Sequence, residues 1–516
     1  MTTHAPATTA GLAGVRDSIV DASHSEDFDY TDLANEVRAS FKSGKTKSLE
    51  WRKDQLRAMI RMCAENHERI TAAVLADLGG PKIRGIGDLI QAGSAQLCLD
   101  NLDAWSAEES VKHENPILGR SYVRKEPKGT MLLIAPWNYP ISLVFRPLAY
   151  IIAAGNCCVI KPSELSVNCA KLIEELVPRY MDPTCFKVVN GAVAETTALL
   201  RQRWDHIIYT GNGAVAQIVL QAAAKHLTPC TLELGGKSPV IIDETADLNV
   251  AVKRVASGKW LNQGQTCVAP DYVLVHESKR QAFIEKSKAL LARGFGADPK
   301  KHKNWGKIIH PRHATRIQGL IDESSGSVVL GGADTIDAGS QYVPPTLLVG
   351  PDFEDRVMNE EIFGPVLVIQ TFRTIPEAIE KIQQVCDSPL ALYMFSESDK
   401  NIEYVLNNTQ SGGVCVNDTV SHVANESLPF GGIGESGMGY YGSKWGFDEF
   451  THFRAVFRKD TRFIKGSMLG PPYPGSSLYD IAVKMLITGF VTPFQKKTLQ
   501  AVAAALFGYA LIRPRL

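Results

Sequence analysis

The sequence predicts an α/β protein with two parallel-sheet lobes. Its 516 residues are too many for one compact core, because single cores stop growing at about 250–300 residues. From residue 129 onward, short apolar runs alternate with stretches of helical length, which is typical of βαβ units with parallel strands. Hydrophobic residues make up 45% of the chain and charged residues 21%, as in folded rather than disordered proteins.

The charge balance and the cysteines exclude several kinds of site. Lys and Arg number 55, as do Asp and Glu, so we expect no nucleic-acid partner, because such proteins carry a basic surplus. The 10 cysteines form no CxxC pair and no Cys/His ligand spacing. We therefore expect no metal site, no disulfide framework and a reducing, intracellular compartment.

The N-terminal part of the chain has two predicted features. Residues 1–30 are rich in Thr, Ala, Ser and Asp without periodicity, which predicts a mobile arm, and they lack the apolar core of a signal peptide. Apolar residues recur at helical spacing over residues 49–78, and a Gly-Gly-Pro stop follows. This pattern predicts one long amphipathic helix.

The first lobe is predicted from four apolar runs that have the length of buried strands. They cover residues 129–135, 157–161, 186–190 and 206–210. Helices are predicted over residues 163–180, 192–202 and 213–226. Because ligands bind such sheets at the carboxyl ends of the strands, the turns after these runs are candidate binding positions.

A second series of strands and helices begins near residue 231. Its predicted strands cover residues 238–242, 272–276, 363–370 and 413–417, and its predicted helices cover residues 248–261 and 279–293. Residues 418–465 are rich in glycine and aromatic residues, which indicates a bridging arm.

Cys267 is a candidate nucleophile. It lies in the polar, Gly-containing segment NQGQTCVAP just before a predicted strand, where a thiolate has exposure and backbone N–H groups nearby. The alternative is an inert loop cysteine.

Glu233 is a candidate general base. It ends an apolar run and precedes two glycines that leave room for a ligand, and burial raises the pKa of a carboxyl group toward the range of a useful base. The alternative is a structural ion pair with Lys237.

Two further turns could contact a ligand. Asn138 follows a predicted strand and could donate to an oxyanion, although a lone Asn between prolines is more often a turn residue. The turn Tyr209-Thr210-Gly211-Asn212-Gly213 joins a strand to a helix and suits a phosphate at a helix N-terminus. Ala216 stands where the third glycine of a GxGxxG fingerprint would be, so the pattern alone is weak.

Together these segments resemble the aldehyde dehydrogenase superfamily. In chain order the motifs are PWNYP, KPSE, YTGN, LELGGKSP, GQTCVAPDY, EIFGP and LPFGGIG, and the resemblance covers residues 35–465. The form of the PWNYP, YTGN and CVAPDY motifs is similar to the class 3 branch, which includes fatty aldehyde dehydrogenases. The resemblance implies two Rossmann-like lobes of the aldehyde dehydrogenase fold, with a bridging arm and a C-terminal helical tail.

The resemblance also implies catalytic roles. Cys267 would attack the aldehyde to give a thiohemiacetal, and Asn138 would stabilise its oxyanion, a contact typically worth about 3–4 kcal/mol. Hydride transfer to a nicotinamide would leave a thioester, which water activated by Glu233 would release as the acid.

The implied cofactor is NAD, with NADP as the alternative. Lys161 and Glu164 match the positions that hold the adenosine ribose, where Glu164 would repel a 2′-phosphate. The other implied cofactor contacts are Trp137, Gly211, Asn212, Leu234, Glu361 and Phe363.

The C-terminal tail, residues 466–516, lies beyond the implied catalytic unit. Residues 499–512 are almost wholly apolar between basic flanks. Their helix would be about 21 Å long, shorter than the ~30 Å hydrocarbon core, although snorkelling basic residues narrow that gap. We expect a membrane anchor at the endoplasmic reticulum or the mitochondrial outer membrane, with the catalytic part in the cytosol. A soluble cytoplasmic protein with a docked tail helix is the alternative.

The remaining expectations concern organisation and substrate. The predicted segments are a cofactor domain at 31–232, a catalytic domain at 233–417 and an oligomerisation segment at 418–465, and class 3 relatives imply a homodimer. The expected substrate is a hydrophobic aldehyde, either a long-chain fatty aldehyde or an apocarotenoid or terpenoid aldehyde. A CoA-acylating enzyme and a non-catalytic relative are the alternatives.

Overall fold

The computed structural model describes residues 28–91, 93–111 and 120–458. The predicted N-terminal arm, except for residues 28–30, and the predicted C-terminal tail lie outside the described residues. Within the described ranges, no helix combines the length and the apolar character needed to cross a bilayer.

The described helices are, in chain order, α1 Thr31–Lys42, α2 Leu49–Glu65, α3 His67–Leu78, α4 Lys82–Gln91, α5 Ser94–Ser106, α6 Ser142–Ala154, α7 Val167–Tyr180, α8 Val193–Leu200, α9 Gly213–Ala224, α10 Leu248–Trp260, α11 Arg280–Phe295, α12 Pro311–Asp322, α13 Arg356–Asn359, α14 Ile375–Val385, α15 Asp399–Asn408, α16 Ser421–Ala424 and α17 Ser443–Glu449.

The described strands are β1 Glu109–Val111, β2 Arg120–Pro127, β3 Thr130–Ile134, β4 Cys157–Lys161, β5 Phe186–Val188, β6 His206–Thr210, β7 Cys230–Glu233, β8 Pro239–Ile242, β9 Tyr272–His276, β10 Ser327–Leu330, β11 Thr346–Val349, β12 Val366–Phe372, β13 Ala391–Phe395, β14 Gly413–Val416, β15 Gly437–Met438 and β16 Thr451–Arg458.

The chain divides into two compact units. The larger unit holds the described residues of 28–107 and 125–452, and the smaller holds those of 108–124 and 453–458. The smaller unit is formed around a three-stranded sheet in the order β1-β2-β16, in which β1 and β2 run antiparallel.

The larger unit contains two α/β sheets, as the sequence predicted. The first has the order β15-β7-β6-β3-β4-β5, with β3 to β7 parallel and β15 antiparallel to β7. The second has the order β10-β11-β12-β9-β8-β13-β14, and all of its strands are parallel except β10. Strands β3 and β4 are wholly buried, which explains why all of their residues except Thr130 and Lys161 are apolar.

Two predicted elements differ from the structure. The prediction of one helix over residues 49–78 was wrong, because Asn66 separates α2 from α3. Its side-chain amide donates to the carbonyl oxygen of Met62 at 2.9 Å, which is the same acceptor that its backbone N–H uses, and such side-chain bonds compete with helix continuation. The strand predicted from residue 363 begins only at Val366, because Phe363 has a left-handed backbone with φ 46°.

Candidate active site

Cys267 lies in the connection between α10 and β9, directly after a tight turn. Three consecutive residues of that turn, Asn262, Gln263 and Gly264, have φ values of 51°, 51° and 72°. A Cβ atom at position 264 would lie 2.2 Å from the carbonyl oxygen of Gly364, so only glycine fits there. Left-handed conformations cost non-glycine residues about 1–2 kcal/mol each and persist where the surroundings enforce them.

Hydrogen bonds with Asn138 and Tyr139, in the segment after β3, hold this turn in place. The Asn262 side-chain nitrogen donates to the carbonyl oxygens of Asn138 at 2.8 Å and Gln265 at 3.1 Å. The Asn138 amide in turn donates to the Gln265 carbonyl at 3.0 Å, and the Tyr139 hydroxyl lies 2.7 Å from Thr266 Oγ1. The segment after β3 and the cysteine loop therefore form one hydrogen-bonded junction.

Asn138 is buried in this junction and not an exposed turn residue, since only 4% of its surface is accessible. An amide nitrogen carries two hydrogens, and the described contacts use one of them, toward Gln265. The second N–H has no partner among the described hydrogen bonds and is available to a ligand.

The Cys267 side chain is a half-buried free thiol. Burial raises the pKa of this thiol to about 12, with smaller contributions in the same direction from the Glu361 and Glu233 carboxylates. The backbone N–H groups of Cys267 and Val268 act in the opposite direction. In this state the group is therefore protonated at neutral pH, and its proton has to leave before it becomes a nucleophile.

Glu233 ends strand β7 and is 2% exposed. Neither of its carboxyl oxygens has a hydrogen-bond partner, and burial raises its pKa well above the usual value. The alternative pairing with Lys237 does not occur. Lys237 instead forms a buried ion pair with Asp271 and donates to the Val357 carbonyl at 2.8 Å.

Four residues predicted to bind the cofactor lie at the carboxyl ends of β4 and β6. Buried Lys161 ends β4, and its ammonium donates to exposed Glu164 at 2.8 Å. Asn212 caps α9 by accepting from the Val215 N–H at 2.9 Å. At Gly211 a Cβ atom would approach the Tyr209 hydroxyl to 2.1 Å. Strand β3 lies between β4 and β6, so a ligand touching both ends has to span about 10 Å.

Gly213 and Ala216, both in the first turn of α9, have different surroundings. A Cβ atom at Gly213 would have nothing within 4 Å, which leaves open space in front of the first turn of α9. Ala216, at the position of the missing third glycine, is 2% exposed, so its methyl group packs inside the protein and does not narrow that space.

The other predicted cofactor residues surround the end of β7. Leu234 is buried and donates its N–H to the Ser436 carbonyl at 3.1 Å. At the next position a Cβ atom would lie 2.0 Å from Glu361 Oε2, so Gly235 lets Glu361 approach the backbone. Burial raises the pKa of Glu361 to about 8. The rings of Trp137 and Phe363 meet edge to face, with centroids 5.4 Å apart.

The sequence reasoning gave no role to three residues that the structure places here. Asn262 and Tyr139 hold the cysteine loop. Arg146 is the one charged residue of α6 and is 4% exposed. The sequence did contain a signal for Arg146, which is a single arginine within an apolar helix. Such a residue is a candidate for a functional role, because charged side chains are almost never buried unless they are paired.

Metal ligation has no candidate in the described part of the chain, where no group of three or more His, Cys, Asp or Glu side chains is arranged to hold an ion.

Comparisons with known proteins show which family the chain belongs to. The sequence profile described as "Aldehyde dehydrogenase family" matches residues 14–456. A dog protein named "Aldehyde dehydrogenase, dimeric NADP-preferring" is 44% identical over 449 residues, covering 86% of this chain and 98% of its own. A rat protein named "Aldehyde dehydrogenase family 3 member A2" is 44% identical over 445 residues, covering 86% and 90%.

A solved structure of a related protein has the same fold as this chain. The substrate-bound AldH of Staphylococcus aureus superposes with a TM-score of 0.82 at 39% identity, covering 87% of this chain and 98% of that protein. The two parallel-sheet lobes, the motif order and the named relatives lead to one conclusion: this chain belongs to the aldehyde dehydrogenase family, in its class 3 branch.

Proposed function

We propose that this aldehyde dehydrogenase oxidises a hydrophobic aldehyde to its carboxylic acid through covalent intermediates on Cys267, with NAD or NADP as the hydride acceptor. The observation that carries the proposal is the junction in which Asn262 and Asn138 hold the Cys267 loop. Glu233 lies within electrostatic range of that cysteine and has two unpartnered carboxyl oxygens.

The first step is the attack of the Cys267 sulfur on the aldehyde carbon. The thiol first passes its proton to solvent water, the resulting thiolate forms the C–S bond, and the carbonyl oxygen becomes an oxyanion. The free N–H of the Asn138 amide donates to that oxygen, and such a donor is worth most where charge develops in a buried site. When bound, the nicotinamide cofactor supplies the acceptor for the hydride, and a thioester on Cys267 remains.

The second step is the hydrolysis of this thioester. Glu233 takes a proton from water, the oxygen attacks the acyl carbon, and the C–S bond breaks to release the acid and the cysteine. A buried carboxyl group with a raised pKa is a stronger base than an exposed one once it is ionised. The same group argues against CoA acylation as the main reaction, because transfer to a thiol needs no activated water.

The residues present suit a dinucleotide. Buried Lys161 with exposed Glu164 offers a donor and an acceptor for ribose hydroxyls, and the Asn212-capped N-terminus of α9 faces open space at Gly213, as an anionic pyrophosphate requires. Glu361 lies close to the backbone of Gly235, and in this proposal its carboxylate accepts from the second ribose. Glu164 favours NAD, whereas the dog relative is named NADP-preferring.

The substrate and the assembly are inferred from relatives and from the tail. The resemblance to the class 3 branch, which includes fatty aldehyde dehydrogenases, and the apolar run at residues 499–512 support a lipid-soluble aldehyde, either a fatty aldehyde or an apocarotenoid or terpenoid aldehyde. The same apolar run supports a membrane anchor, with the catalytic part facing the cytosol. The word dimeric in the dog relative's name supports a homodimer. Size-exclusion chromatography with light scattering tests the dimer, and fractionation of the full chain against a chain ending at Lys465 tests the anchor.

The deciding experiment follows NADH or NADPH absorbance with aldehydes of increasing chain length. We expect turnover that becomes more efficient with chain length and that is lost in Cys267→Ala. No reduced cofactor with any aldehyde would refute the proposed activity, and retained turnover in Cys267→Ala would refute the mechanism. Acyl-CoA formation that outpaces acid formation would favour the CoA-acylating alternative.

A further inference from the structure

Arg146 is a buried cation whose hydrogen-bonding capacity is mostly unused. Its Nη1 reaches the Val423 carbonyl at a long 3.4 Å, and its Nε and Nη2 have no hydrogen-bond partner. The effective penalty for burying an ion is several kcal/mol. A protein that keeps such a group gains something from its charge.

Two aromatic rings contact the buried guanidinium of Arg146. The Arg146 guanidinium lies 5.9 Å from the ring centroid of Phe430 and 5.7 Å from that of Tyr441. Cation–π contacts stabilise the charge by about 0.5–2 kcal/mol, but they leave the in-plane N–H donors of the guanidinium without acceptors. The rings therefore hold Arg146 in position and leave two of its donor nitrogens available.

Glu233 lacks hydrogen-bond donors, just as two nitrogens of Arg146 lack acceptors. Both of its oxygens are buried acceptors without a donor. The titratable groups that interact with it are Arg146 from α6, Glu449 from α17, Cys267 and Tyr441, and of these four only Arg146 is positive. Arg146 itself also faces Tyr150 of its own helix.

We infer that Arg146 is a positioning residue for Glu233: the buried guanidinium of Arg146 provides the counter-charge that the ionised carboxylate needs while it activates water. This inference rests on the proposed role of Glu233 as the base. No ion pair joins Arg146 and Glu233 in the described structure, in which burial favours the protonated carboxyl group.

The sign of the effect follows from the charges. Arg146 lowers the pKa of Glu233, opposing both burial and Glu449. Removal of the positive charge raises that pKa further, so acid release moves to higher pH.

The test compares Arg146→Gln and Arg146→Met, which remove the charge, with Arg146→Lys, which keeps it. Rapid-quench measurement of acid release from the preformed thioester, as a function of pH, should show a midpoint at least one unit higher in the neutral variants. The midpoint in Arg146→Lys should stay close to that of the wild type. Arg146→Met retains the apolar length of the side chain and serves if the Gln variant does not fold.

A second measurement does not depend on turnover. The infrared carboxyl stretch that disappears in Glu233→Gln reports protonated Glu233, and its pH titration should move upward in the neutral Arg146 variants. Unchanged midpoints in both measurements, or a change confined to the KM for aldehyde, would overturn the inference. Failure of the proposed function looks different, because wild type would then form no reduced cofactor or Glu233→Gln would release acid normally.

Discussion

The side-chain nitrogen of Asn262 lies 2.8 Å from the backbone carbonyl oxygen of Asn138. This hydrogen bond joins the turn after α10 to the segment after β3, so a left-handed residue of one α/β lobe fixes the backbone beside the candidate oxyanion donor of the other. The same nitrogen also reaches the Gln265 carbonyl at 3.1 Å, so one amide holds both sides of the Cys267 loop.

Replacement of Asn262 should therefore damage catalysis more than folding. Asn262→Gly preserves the left-handed backbone but removes both donated bonds, and a displacement of about 1 Å at a reacting group costs on the order of 100-fold in rate. We expect a loss of about that size in kcat/KM, with a loss of about 1–3 kcal/mol in the free energy of unfolding. Enzyme kinetics and urea denaturation measure the two effects. Normal kinetics in the Gly variant would show that the loop keeps its shape without these bonds.

Alkylation of Cys267 in the free protein should accelerate steeply with pH. Burial raises the pKa of its thiol to about 12, and only the thiolate reacts. The rate with iodoacetamide should rise about tenfold per pH unit from pH 7 to 10 without reaching a plateau. Cys267→Ser identifies the reacting site by peptide mass spectrometry. A plateau near pH 8 would mean that the free protein already stabilises the thiolate.

Glu233→Gln should separate the two chemical steps. The glutamine cannot take a proton from water, so acylation and hydride transfer continue while acid release stops. We expect one equivalent of reduced cofactor in a burst, followed by almost no steady turnover. Stopped-flow absorbance detects the burst, and steady turnover at the wild-type rate would exclude Glu233 as the base.

The same substitution should change how stability depends on pH. The folded-state pKa of Glu233 is raised above 4.5, so the carboxyl group contributes fully to stability below that pH. The contribution is lost as the pH rises toward the folded-state pKa. In that window the free energy of unfolding of wild type should fall relative to Glu233→Gln by about 1.4 kcal/mol per pH unit. Urea denaturation at pH 5, 7 and 9 measures the difference, and parallel profiles would contradict it.

Gly235→Ala should weaken cofactor binding. The added Cβ atom would lie 2.0 Å from Glu361 Oε2, so Glu361 has to move away from its place beside the backbone. Gly294→Ala, in α11 and outside the candidate site, is the matched control, because its Cβ atom meets nothing within 4 Å. We expect the Kd for NAD, measured by quenching of protein fluorescence, to rise about tenfold or more in the first variant and to change little in the second.

Glu164→Gln should shift cofactor preference toward NADP. The substitution removes the charge that repels a 2′-phosphate and leaves Lys161, now bonded to Glu164 at 2.8 Å, available to that phosphate. We expect the ratio of kcat/KM for NADP to that for NAD to rise about tenfold. The KM for aldehyde is the control and should not change. An unchanged ratio would place the ribose elsewhere.

The sequence predicted about half of the described strands, because their signal is local. Runs such as residues 157–161 and 272–276 have the bounds that the structure gives to β4 and β9, since a buried parallel strand is apolar along most of its length. Strands β1, β2, β10, β11, β13, β15 and β16 were not predicted. Strand β10 is exposed along half of its length and so carries little hydrophobic pattern.

The sequence alone thus determined the α/β class, the two series of strands, the family and the identity of the candidate site residues, because these depend on local pattern and motif order. Only the tertiary structure decided which groups face each other. It paired Lys237 with Asp271 and left Glu233 without a hydrogen-bond partner, and it placed Arg146 among aromatic rings within electrostatic range of that carboxyl group. Burial and charge–charge interaction depend on contacts between residues far apart in the chain, and one-dimensional patterns do not contain those contacts.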